Sequence, residues 1–318
     1  MTLKLSLRVA AAARVAETVI QFDLVAPNGE SLPPFTAGAH LRVQTPGGPV
    51  RAYSLCNDPA DRARYQIAVH LEPASRGGSE AMHLRLHEGD LLMVAHPENH
   101  FPLHEQAPHT LLIAGGIGIT PLLAMARRLH SLGASWALHY GARNAARCAF
   151  ADVLQTGPWA DRVHLHFDDG SAGGPLDVPT LLAQAPIGSH AYVCGPAGLI
   201  DRVLDTGRAL QWPAERLHHE RFAANPQPAA EARSFRIVLA HSGLTLEVPA
   251  DRSVAAVVQA AGVDLPLSCE QGLCGTCITD VIDGAPDHRD QCLSEQDRAR
   301  CFTPCCSRAL SDTLTLAL

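Results

Sequence analysis

Four cysteines near the C-terminal end have the residue type and spacing of metal ligands. Cys269, Cys274 and Cys277 follow the pattern C-x4-C-x2-C, and Cys305 lies 28 positions after Cys277. Four thiolates at this spacing hold a plant-type 2Fe-2S cluster, and the glycines between them let backbone N–H groups approach the sulfur atoms. The pattern therefore predicts an iron–sulfur centre. The spacing leaves two alternatives open: a structural four-cysteine zinc site and buried cysteines without a metal.

The segment before these cysteines provides a scaffold for such a loop. Two apolar strands flank the turn at 241–243, and a helix follows with Ser253 as its N-cap and Gly262 at its end. Spacing alone does not decide whether Cys305 or its neighbour Cys306 is the fourth ligand.

A glycine-rich turn predicts a second site, which suits a dinucleotide. The turn directly follows an apolar strand and opens a helix, whose first position suits proline. Glycines allow close backbone approach, and a helix N-terminus favours a pyrophosphate. The turn differs from the G-x-G-x-x-G fingerprint. Its residues are Gly115, Gly116, Gly118, Thr120 and Pro121.

A second strand end belongs to the same predicted site. Cys194, Gly195 and Pro196 end an apolar strand at the edge where α/β sheets bind ligands. A single cysteine at a strand end is otherwise an ordinary core residue. Arg143 and Arg147 follow another strand, and they are either partners of a nucleotide 2′-phosphate or solvated surface arginines.

A short strand near residue 50 could bind a ring and a phosphate. Arg51 and Tyr53 share one face of this strand, and Ser54 lies beside them. An ordinary barrel strand with an exposed arginine is the alternative interpretation.

A glycine loop follows about 25 residues later. Gly77, Gly78 and Ser79 precede a helix predicted over 80–87, with Ser79 as its N-cap and Gly89 just past its end. Such a loop suits an anion, and a simple turn with a cap is the alternative.

The elements that must position these residues divide the 318-residue chain into three parts. Short apolar runs separated by turns at 5–104 predict an antiparallel barrel or sandwich. Strands and helices alternate from 109 to 217, which predicts a parallel sheet with helices on its faces. A linker at 223–233 leads to the cysteine-rich segment at 234–318. The predicted strands of the first two parts are 5–9, 40–44, 65–69, 91–95, 110–114, 136–140, 163–167 and 191–194, and a helix is predicted at 121–132.

The composition argues against several classes of protein. The formal net charge of −7 and the lack of a basic run argue against nucleic-acid binding. No apolar stretch is long enough to span a membrane, and Arg14 and Glu17 interrupt any signal-peptide core, so we expect a cytoplasmic protein. Seven cysteines follow residue 268, and in a reducing compartment they favour metal ligation over disulfides. None of the 17 histidines forms a paired metal-binding spacing.

Together these segments resemble the reductases of the phthalate dioxygenase and vanillate demethylase type, which belong to the ferredoxin-reductase superfamily. The resemblance covers nearly the whole chain. It rests on C-E-Q-G-L-C-G-T-C at 269–277, G-A-P-D-H-R-D at 284–290, C-C-S-R-A at 305–309, R-A-Y-S-L at 51–55 and the glycine segments at 75–79 and 115–121.

The resemblance implies a multidomain fold and one electron path. It implies an FMN-binding antiparallel β-barrel at 1–105, a NAD-binding α/β domain with a parallel sheet at 106–222 and an α+β β-grasp ferredoxin domain at 234–318. Electrons would pass from NADH to FMN, to a 2Fe-2S cluster and then to a Rieske-type aromatic oxygenase or O-demethylase, which the chain meets transiently as a monomer. The same cofactors would also suit a P450, a quaternary-amine monooxygenase or a small diffusible acceptor. A zinc-stabilised binding module is the alternative from another class.

The resemblance also implies roles for residues at the flavin. Tyr53 packs on the isoalloxazine ring and Ser54 points to its N5 atom. Arg51 and the loop that contains Ser79 hold a terminal phosphate, which favours FMN over FAD. Phe222 matches an aromatic position beside the flavin, although a hydrophobic plug at the start of the linker is the alternative.

Two cysteines receive roles in the same way. The resemblance implies that Cys194 lies near the nicotinamide during hydride transfer. It also implies that Cys305, three positions before Arg308, is the fourth iron ligand.

Overall fold

The computed structural model describes residues 3–73, 77–222, 233–267, 270–273 and 275–318. The chain forms two compact units, Thr2–Arg221 and Phe222–Leu318. Apart from Arg233, the predicted linker lies outside the described residues. Within the described ranges, no helix combines the length and the apolar character that a membrane crossing requires.

The N-terminal part of the first unit is an antiparallel six-stranded sheet in the order β4-β3-β6-β1-β2-β5. A bridge between Leu55 and Ile67 joins the two ends of this order, and Phe22, Leu24 and Tyr65 are among the side chains buried inside. The predicted antiparallel barrel is confirmed. Its elements are β1 Leu5–Ala16, β2 Val19–Val25, β3 His40–Gln44, β4 Val50–Ser54, β5 Tyr65–His70, α1 Gly78–Arg85 and β6 Leu91–Val94.

The start of α1 differs from the prediction. The N-cap is Gly77 in the left-handed conformation (φ 91°), and the helix begins at Gly78 rather than at residue 80. The Ser79 hydroxyl accepts a hydrogen bond from the Glu72 N–H at 3.2 Å and is not the N-cap. The predicted cap was wrong because glycine adopts positive φ without steric cost, so the chain can enter the helix two residues earlier.

The second part of this unit is a parallel five-stranded sheet in the order β11-β10-β7-β8-β9. The strand order reverses between β7 and β10, which is the topological switch point where open α/β sheets bind ligands. The predicted parallel sheet is confirmed. Its elements are β7 Thr110–Gly115, α2 Ile119–Ser131, β8 Trp136–Ala142, α3 Ala151–Thr156, β9 Val163–Phe167, α4 Val178–Gln184, β10 His190–Cys194, α5 Ala197–Ala209 and β11 Leu217–Glu220.

Helix α2 begins before the proline that was predicted to start it. A single 3-10 turn, Gly116–Gly118, leads directly into the helix at Ile119, which places Pro121 at the third helical position. Proline is tolerated there because the first backbone N–H groups of a helix have no intrahelical acceptor.

The second unit contains a mixed five-stranded sheet in the order β13-β12-β18-β14-β16. The predicted helix is present, and the Ser253 hydroxyl accepts a hydrogen bond from the Ala256 N–H at 3.1 Å as its N-cap. The α+β architecture expected for the cysteine-rich segment is confirmed. Its elements are β12 Phe235–Leu239, β13 Leu244–Val248, α6 Val254–Ala260, β14 Thr279–Asp283, β15 Pro286–Asp287, α7 Glu295–Arg298, β16 Cys301–Phe302, β17 Arg308–Ala309 and β18 Thr313–Leu316.

Candidate functional site

Strand β4 brings the predicted flavin residues to the N-terminus of α1. The Arg51 side chain lies so close to this helix that a Cβ atom added to Gly78 would be 3.2 Å from its Cγ. Tyr53 is partly buried against the barrel core, and burial raises the pKa of its hydroxyl to about 12 while the Arg51 guanidinium opposes this shift. Tyr53 therefore stays neutral. The Arg51 guanidinium and the N-terminus of α1 together form a binding place for an anion.

Ser54, at the end of β4, contacts a residue that the sequence reasoning missed. Its hydroxyl hydrogen-bonds to the carboxyl group of Glu220 at the end of β11. Burial raises the pKa of Glu220 to about 8, and the hydrogen bond with Ser54 opposes the shift. At neutral pH this carboxyl group therefore carries its proton and is a hydrogen-bond donor as well as an acceptor.

Glu220 also lies beside the predicted nicotinamide residue. The parallel register of β10 and β11 pairs it with Cys194. Cys194 is fully buried, and burial, followed by the proximity of Glu220, raises the pKa of its thiol well above the usual value. Cys194 is thus a neutral thiol, and Ser54, Glu220 and Cys194 form one buried polar cluster.

The glycine turn packs directly against the Cys194 strand end. A Cβ atom on Gly118 would lie 2.2 Å from the Cys194 carbonyl oxygen, and one on Gly115 would lie 2.7 Å from Pro196 Cδ. Only glycine permits this contact between the ends of β7 and β10. Thr120 is buried, and its hydroxyl donates a hydrogen bond to the Ile117 carbonyl at 3.0 Å. The structure therefore brings both predicted halves of the nicotinamide site together.

The geometry of this unit fits a flavin and a nicotinamide. Within the part of the chain that the structure describes, Glu220 Oε2 is buried without a hydrogen-bond partner, which leaves it able to bind a polar edge of a bound ring. Tyr53 offers an aromatic face and Arg51 an anion partner. Ser75 and Arg76 of the predicted phosphate loop lie outside the described residues.

Three other predicted residues are not placed in this cluster. Phe222 is the first residue of the second unit, and its side chain is 41% exposed. Arg147 pairs with Glu17, with 3.2 Å between Nε and Oε2, and Arg143 is exposed. The ion pair of Arg147 favours the surface interpretation for this arginine.

The structure describes two of the four predicted cluster ligands, Cys277 and Cys305, and their side chains lie against each other. The thiols of Cys277 and Cys305 are buried and hydrogen-bonded. Hydrogen bonds with the thiols of Cys277 and Cys306, together with burial, raise the pKa of Cys305 above its usual range. Binding of iron by Cys305 would require the loss of the thiol proton. Cys269 and Cys274 lie outside the described residues.

Cys306 packs against Gly272, which lies in sequence between the predicted ligands Cys269 and Cys274. A Cβ atom on Gly272, whose φ is +73°, would lie 2.4 Å from Cys306 Sγ and 2.9 Å from Asp290 Cα. The Gln291 N–H donates a hydrogen bond to the Gly272 carbonyl at 2.9 Å. Glycine at 272 is thus required by its backbone conformation and by the chain packed beneath it.

Asp290 is a second residue that the sequence reasoning assigned no role. Its side chain is completely buried, and it accepts hydrogen bonds from the Leu293 N–H at 2.9 Å and from the Ser307 hydroxyl at 3.5 Å. Because Ser307 lies two positions after Cys305, this carboxylate holds the segment of that predicted ligand in place.

Arg308 anchors the other end of the same segment. Its guanidinium donates to the carbonyl oxygens of Arg252 (2.9 Å), Arg233 (2.9 Å) and Pro249 (3.0 Å), and it lies over the Phe235 ring at 5.1 Å. Three backbone acceptors explain why an arginine follows the predicted iron ligand by three positions.

Comparisons with known proteins agree with this set of sites. The family of 2Fe-2S iron-sulfur cluster binding domains matches residues 237–310. Vanillate O-demethylase oxidoreductase of Pseudomonas sp. (strain HR199 / DSM 7063) is 47% identical over 306 residues, which cover 96% of each chain. The solved structure of phthalate dioxygenase reductase, described as a modular structure for electron transfer from pyridine nucleotides to 2Fe-2S, is 40% identical with a TM-score of 0.80, covering 99% of this chain and 98% of that one. An intact type IV self-sufficient cytochrome P450 monooxygenase matches 98% of this chain with 41% of its own, at 36% identity and a TM-score of 0.82.

The comparisons identify the redox groups. The match at 237–310 assigns a 2Fe-2S cluster to the cysteine-rich segment, which replaces the zinc alternative. The flavin and NADH of the predicted electron path are supported by the match to phthalate dioxygenase reductase over nearly the full chain. This chain belongs to the family of flavin- and 2Fe-2S-dependent oxidoreductases that serve as reductase components of oxygenase systems, together with vanillate O-demethylase oxidoreductase and phthalate dioxygenase reductase.

Proposed function

We propose that this chain transfers electrons from NADH, through FMN and a 2Fe-2S cluster, to a Rieske-type aromatic oxygenase or O-demethylase. The proposal rests on three predicted sites in one chain and on its 47% identity to a vanillate O-demethylase oxidoreductase over 96% of each chain. NADH donates two electrons as hydride, whereas an iron–sulfur cluster accepts one at a time. A bound flavin supplies the chemistry that connects the two.

Arg51 and the start of α1 would hold the flavin phosphate. The support is the Arg51 side chain lying against Gly78, at a helix N-terminus formed by Gly77, Gly78 and Ser79. A guanidinium and a single helix N-terminus suit one terminal phosphate, which favours FMN over FAD.

The Ser54–Glu220–Cys194 cluster would face the reacting rings. Tyr53 would stack on the flavin, and the protonated Glu220 carboxyl would hold the orientation of the Ser54 hydroxyl. Cys194, as a neutral thiol, would add bulk without charge where the nicotinamide lies. Phe222 would cover the flavin from the segment that follows β11.

The glycine turn would hold the dinucleotide. Gly115, Gly116 and Gly118 bring the backbone close, Thr120 and Pro121 form the first turn of α2, and Gly195 and Pro196 complete the edge. We favour NADH because Arg147 is paired with Glu17, which leaves it less able to select a 2′-phosphate.

Cys269, Cys274, Cys277 and Cys305 would hold the cluster, with Cys306 as a neighbour. The support is the contact of Cys305 with Cys277. The corresponding domains would be 1–105 for FMN, 106–222 for NAD and 234–318 for the cluster, with a linker at 223–233.

The partner would be a separate terminal oxygenase, met transiently by a monomeric cytoplasmic reductase. Residues 234–318 carry six arginines against eleven acidic residues. A net negative cluster domain would steer a partner with a basic docking face. Neither nucleic acid nor a membrane has a part in this proposal.

A P450 is the second candidate acceptor. The specific observation is that this chain matches 41% of a self-sufficient cytochrome P450 monooxygenase over 98% of its own length. The cofactor chain would be the same, and only the acceptor would differ.

Two assays test the proposal. Cys305→Ser should lose cluster iron and cytochrome c reduction while NADH still reduces the flavin, and Cys292→Ser, at a cysteine outside the predicted ligand set, should keep both activities. The purified reductase should then support NADH-dependent turnover of a Rieske-type oxygenase. Turnover with a P450 alone would favour the second candidate, and cytochrome c reduction by a cluster-free Cys305→Ser variant would contradict the electron path.

A further inference from the structure

Two histidines and a glutamate that the redox sites do not use converge on the barrel. His40 begins β3, and Glu98 and His100 follow β6. One ligand atom of each side chain lies within 4.8 Å of the ligand atoms of the other two. His40 lies far from the other two in sequence, so no short motif reveals the group.

The backbone fixes this arrangement. The His40 N–H donates to the Glu98 carbonyl at 2.8 Å, and the Glu98 N–H donates to the His40 carbonyl at 3.0 Å. This reciprocal pair is an antiparallel bridge, which places the two side chains on the same face of the sheet. His100 lies two residues further on, and its ring centroid is 5.5 Å from that of His40.

Arg42 orients the carboxylate and leaves one oxygen toward the histidines. Its NH2 lies 3.2 Å from Glu98 Oε1, while Oε2 lies 3.8 Å from His100 Nε2. Carboxylates that bind metals are commonly held by a second hydrogen-bonding partner. The guanidinium charge also opposes a cation, so we expect weaker binding than at a four-cysteine zinc site.

The group has a buried side and an open side. His40 is only 6% exposed, whereas the His100 side chain is 37% exposed. An ion could therefore enter past His100, and solvent could supply a fourth ligand.

We propose that His40, Glu98 and His100 bind a divalent transition-metal ion, with zinc as the best chemical match. Two imidazoles and one carboxylate are ligands that zinc takes at about 2.0–2.2 Å, and three protein ligands leave one position for water. Closing the group around an ion requires only side-chain rotations, because the backbone bridge already sets the spacing of His40 and Glu98.

Zinc titration of the cluster-loaded, flavin-loaded protein tests the site. After removal of adventitious metal, calorimetry with zinc chloride should show one saturable site in the wild type. His100→Ala and Glu98→Gln should weaken this binding at least tenfold. His96→Ala is the matched control, because His96 is exposed and lies outside the group, and it should bind zinc like the wild type.

The outcomes separate this site from other zinc ligands. Equal zinc affinity in the wild type, His100→Ala and Glu98→Gln would place the ion elsewhere, such as on a free thiol, and would overturn the proposal, as would the absence of saturable binding. His100→Ala keeps the test valid if Glu98→Gln disturbs the Arg42 ion pair, since His100 is the most exposed of the three. Flavin and iron contents should be equal across the variants.

Discussion

The carboxyl group of Glu220 hydrogen-bonds to the hydroxyl of Ser54, which connects the end of β11 in the parallel sheet to the end of β4 in the barrel. Glu220 is also the register partner of Cys194. One buried carboxyl group therefore contacts the predicted flavin residue and adjoins the predicted nicotinamide residue. Its protonation state affects both.

Glu220 should make the stability of its unit depend on pH. Its pKa is raised by burial from 4.5 to about 8, so the stabilisation from the protonated carboxyl group is fully present below pH 4.5 and is lost as the pH rises through 8. In the flavin-free chain, we expect the free energy of unfolding to fall by about 2 kcal/mol between pH 6.5 and 9. Glu220→Gln, which resembles the protonated form, should remove this dependence.

Tryptophan fluorescence is a suitable measurement, because all three tryptophans lie in the Thr2–Arg221 unit. The pH window also avoids the half-buried histidines His139 and His218, whose pKa values are lowered to about 4. A wild-type unfolding curve that is as flat over this window as that of Glu220→Gln would show that the carboxyl is ionised at neutral pH.

Gly118→Ala should disrupt the contact between the glycine turn and the Cys194 strand end. The new Cβ would lie 2.2 Å from a backbone carbonyl oxygen, which cannot move away as a flexible side chain would. We expect a loss of about 1–3 kcal/mol in unfolding free energy and slower flavin reduction by NADH in stopped-flow experiments.

Gly198→Ala is the matched control for this change. Gly198 lies in α5, and a Cβ there would have no neighbour within 4 Å. Alanine should leave flavin reduction unchanged and raise stability by up to about 1 kcal/mol. Equal effects of the two substitutions would contradict the close-approach role of Gly118.

Arg51→Ala should weaken FMN binding by about tenfold or more, because a charged hydrogen-bond partner of the phosphate is lost. Riboflavin, which has no phosphate, should bind both proteins with similar affinity. Arg85→Ala removes the same charge from the exposed C-terminal end of α1 and should leave FMN affinity unchanged. An equal loss of riboflavin affinity in Arg51→Ala would indicate a steric role instead.

Asp290→Asn should raise the midpoint potential of the cluster. Removing a buried negative charge favours the reduced, more negative cluster, and we expect a rise on the order of tens of millivolts in an EPR-monitored redox titration. Asp283→Asn removes an exposed carboxylate from the same unit and should leave the potential within error of the wild type. Equal potentials in the wild type, Asp290→Asn and Asp283→Asn would contradict an electrostatic effect of Asp290 on the cluster and leave it only the role of holding the Cys305 segment in place.

Local patterns predicted the barrel, the parallel sheet and the cysteine-rich unit, because apolar periodicity and turn residues act over short distances. Strand β2 and the extension of β1 to Ala16 were missed. The run at 10–13 is all alanine, which has low strand propensity, and pairing with β2 extends β1 through it.

The missed functional residues depend on contacts between distant segments. Glu220 lies in a polar stretch in which the sequence indicates a role only for Phe222. The proximity of Glu220 to Cys194 follows from the parallel register of β10 and β11. His40 and Glu98 are likewise joined by a bridge that no local spacing encodes. By contrast, the contact of Cys305 with Cys277 agrees with the ligand set that the resemblance implied.

In the proposed path, electrons from NADH reach the cluster through the flavin of the same chain. An anaerobic titration of the purified protein with NADH, followed by absorbance and EPR, is the direct test of this path. We expect loss of both flavin and iron–sulfur absorbance and the appearance of the EPR signal of a reduced 2Fe-2S cluster. Loss of the flavin absorbance alone, with the cluster still oxidised at excess NADH, would contradict it.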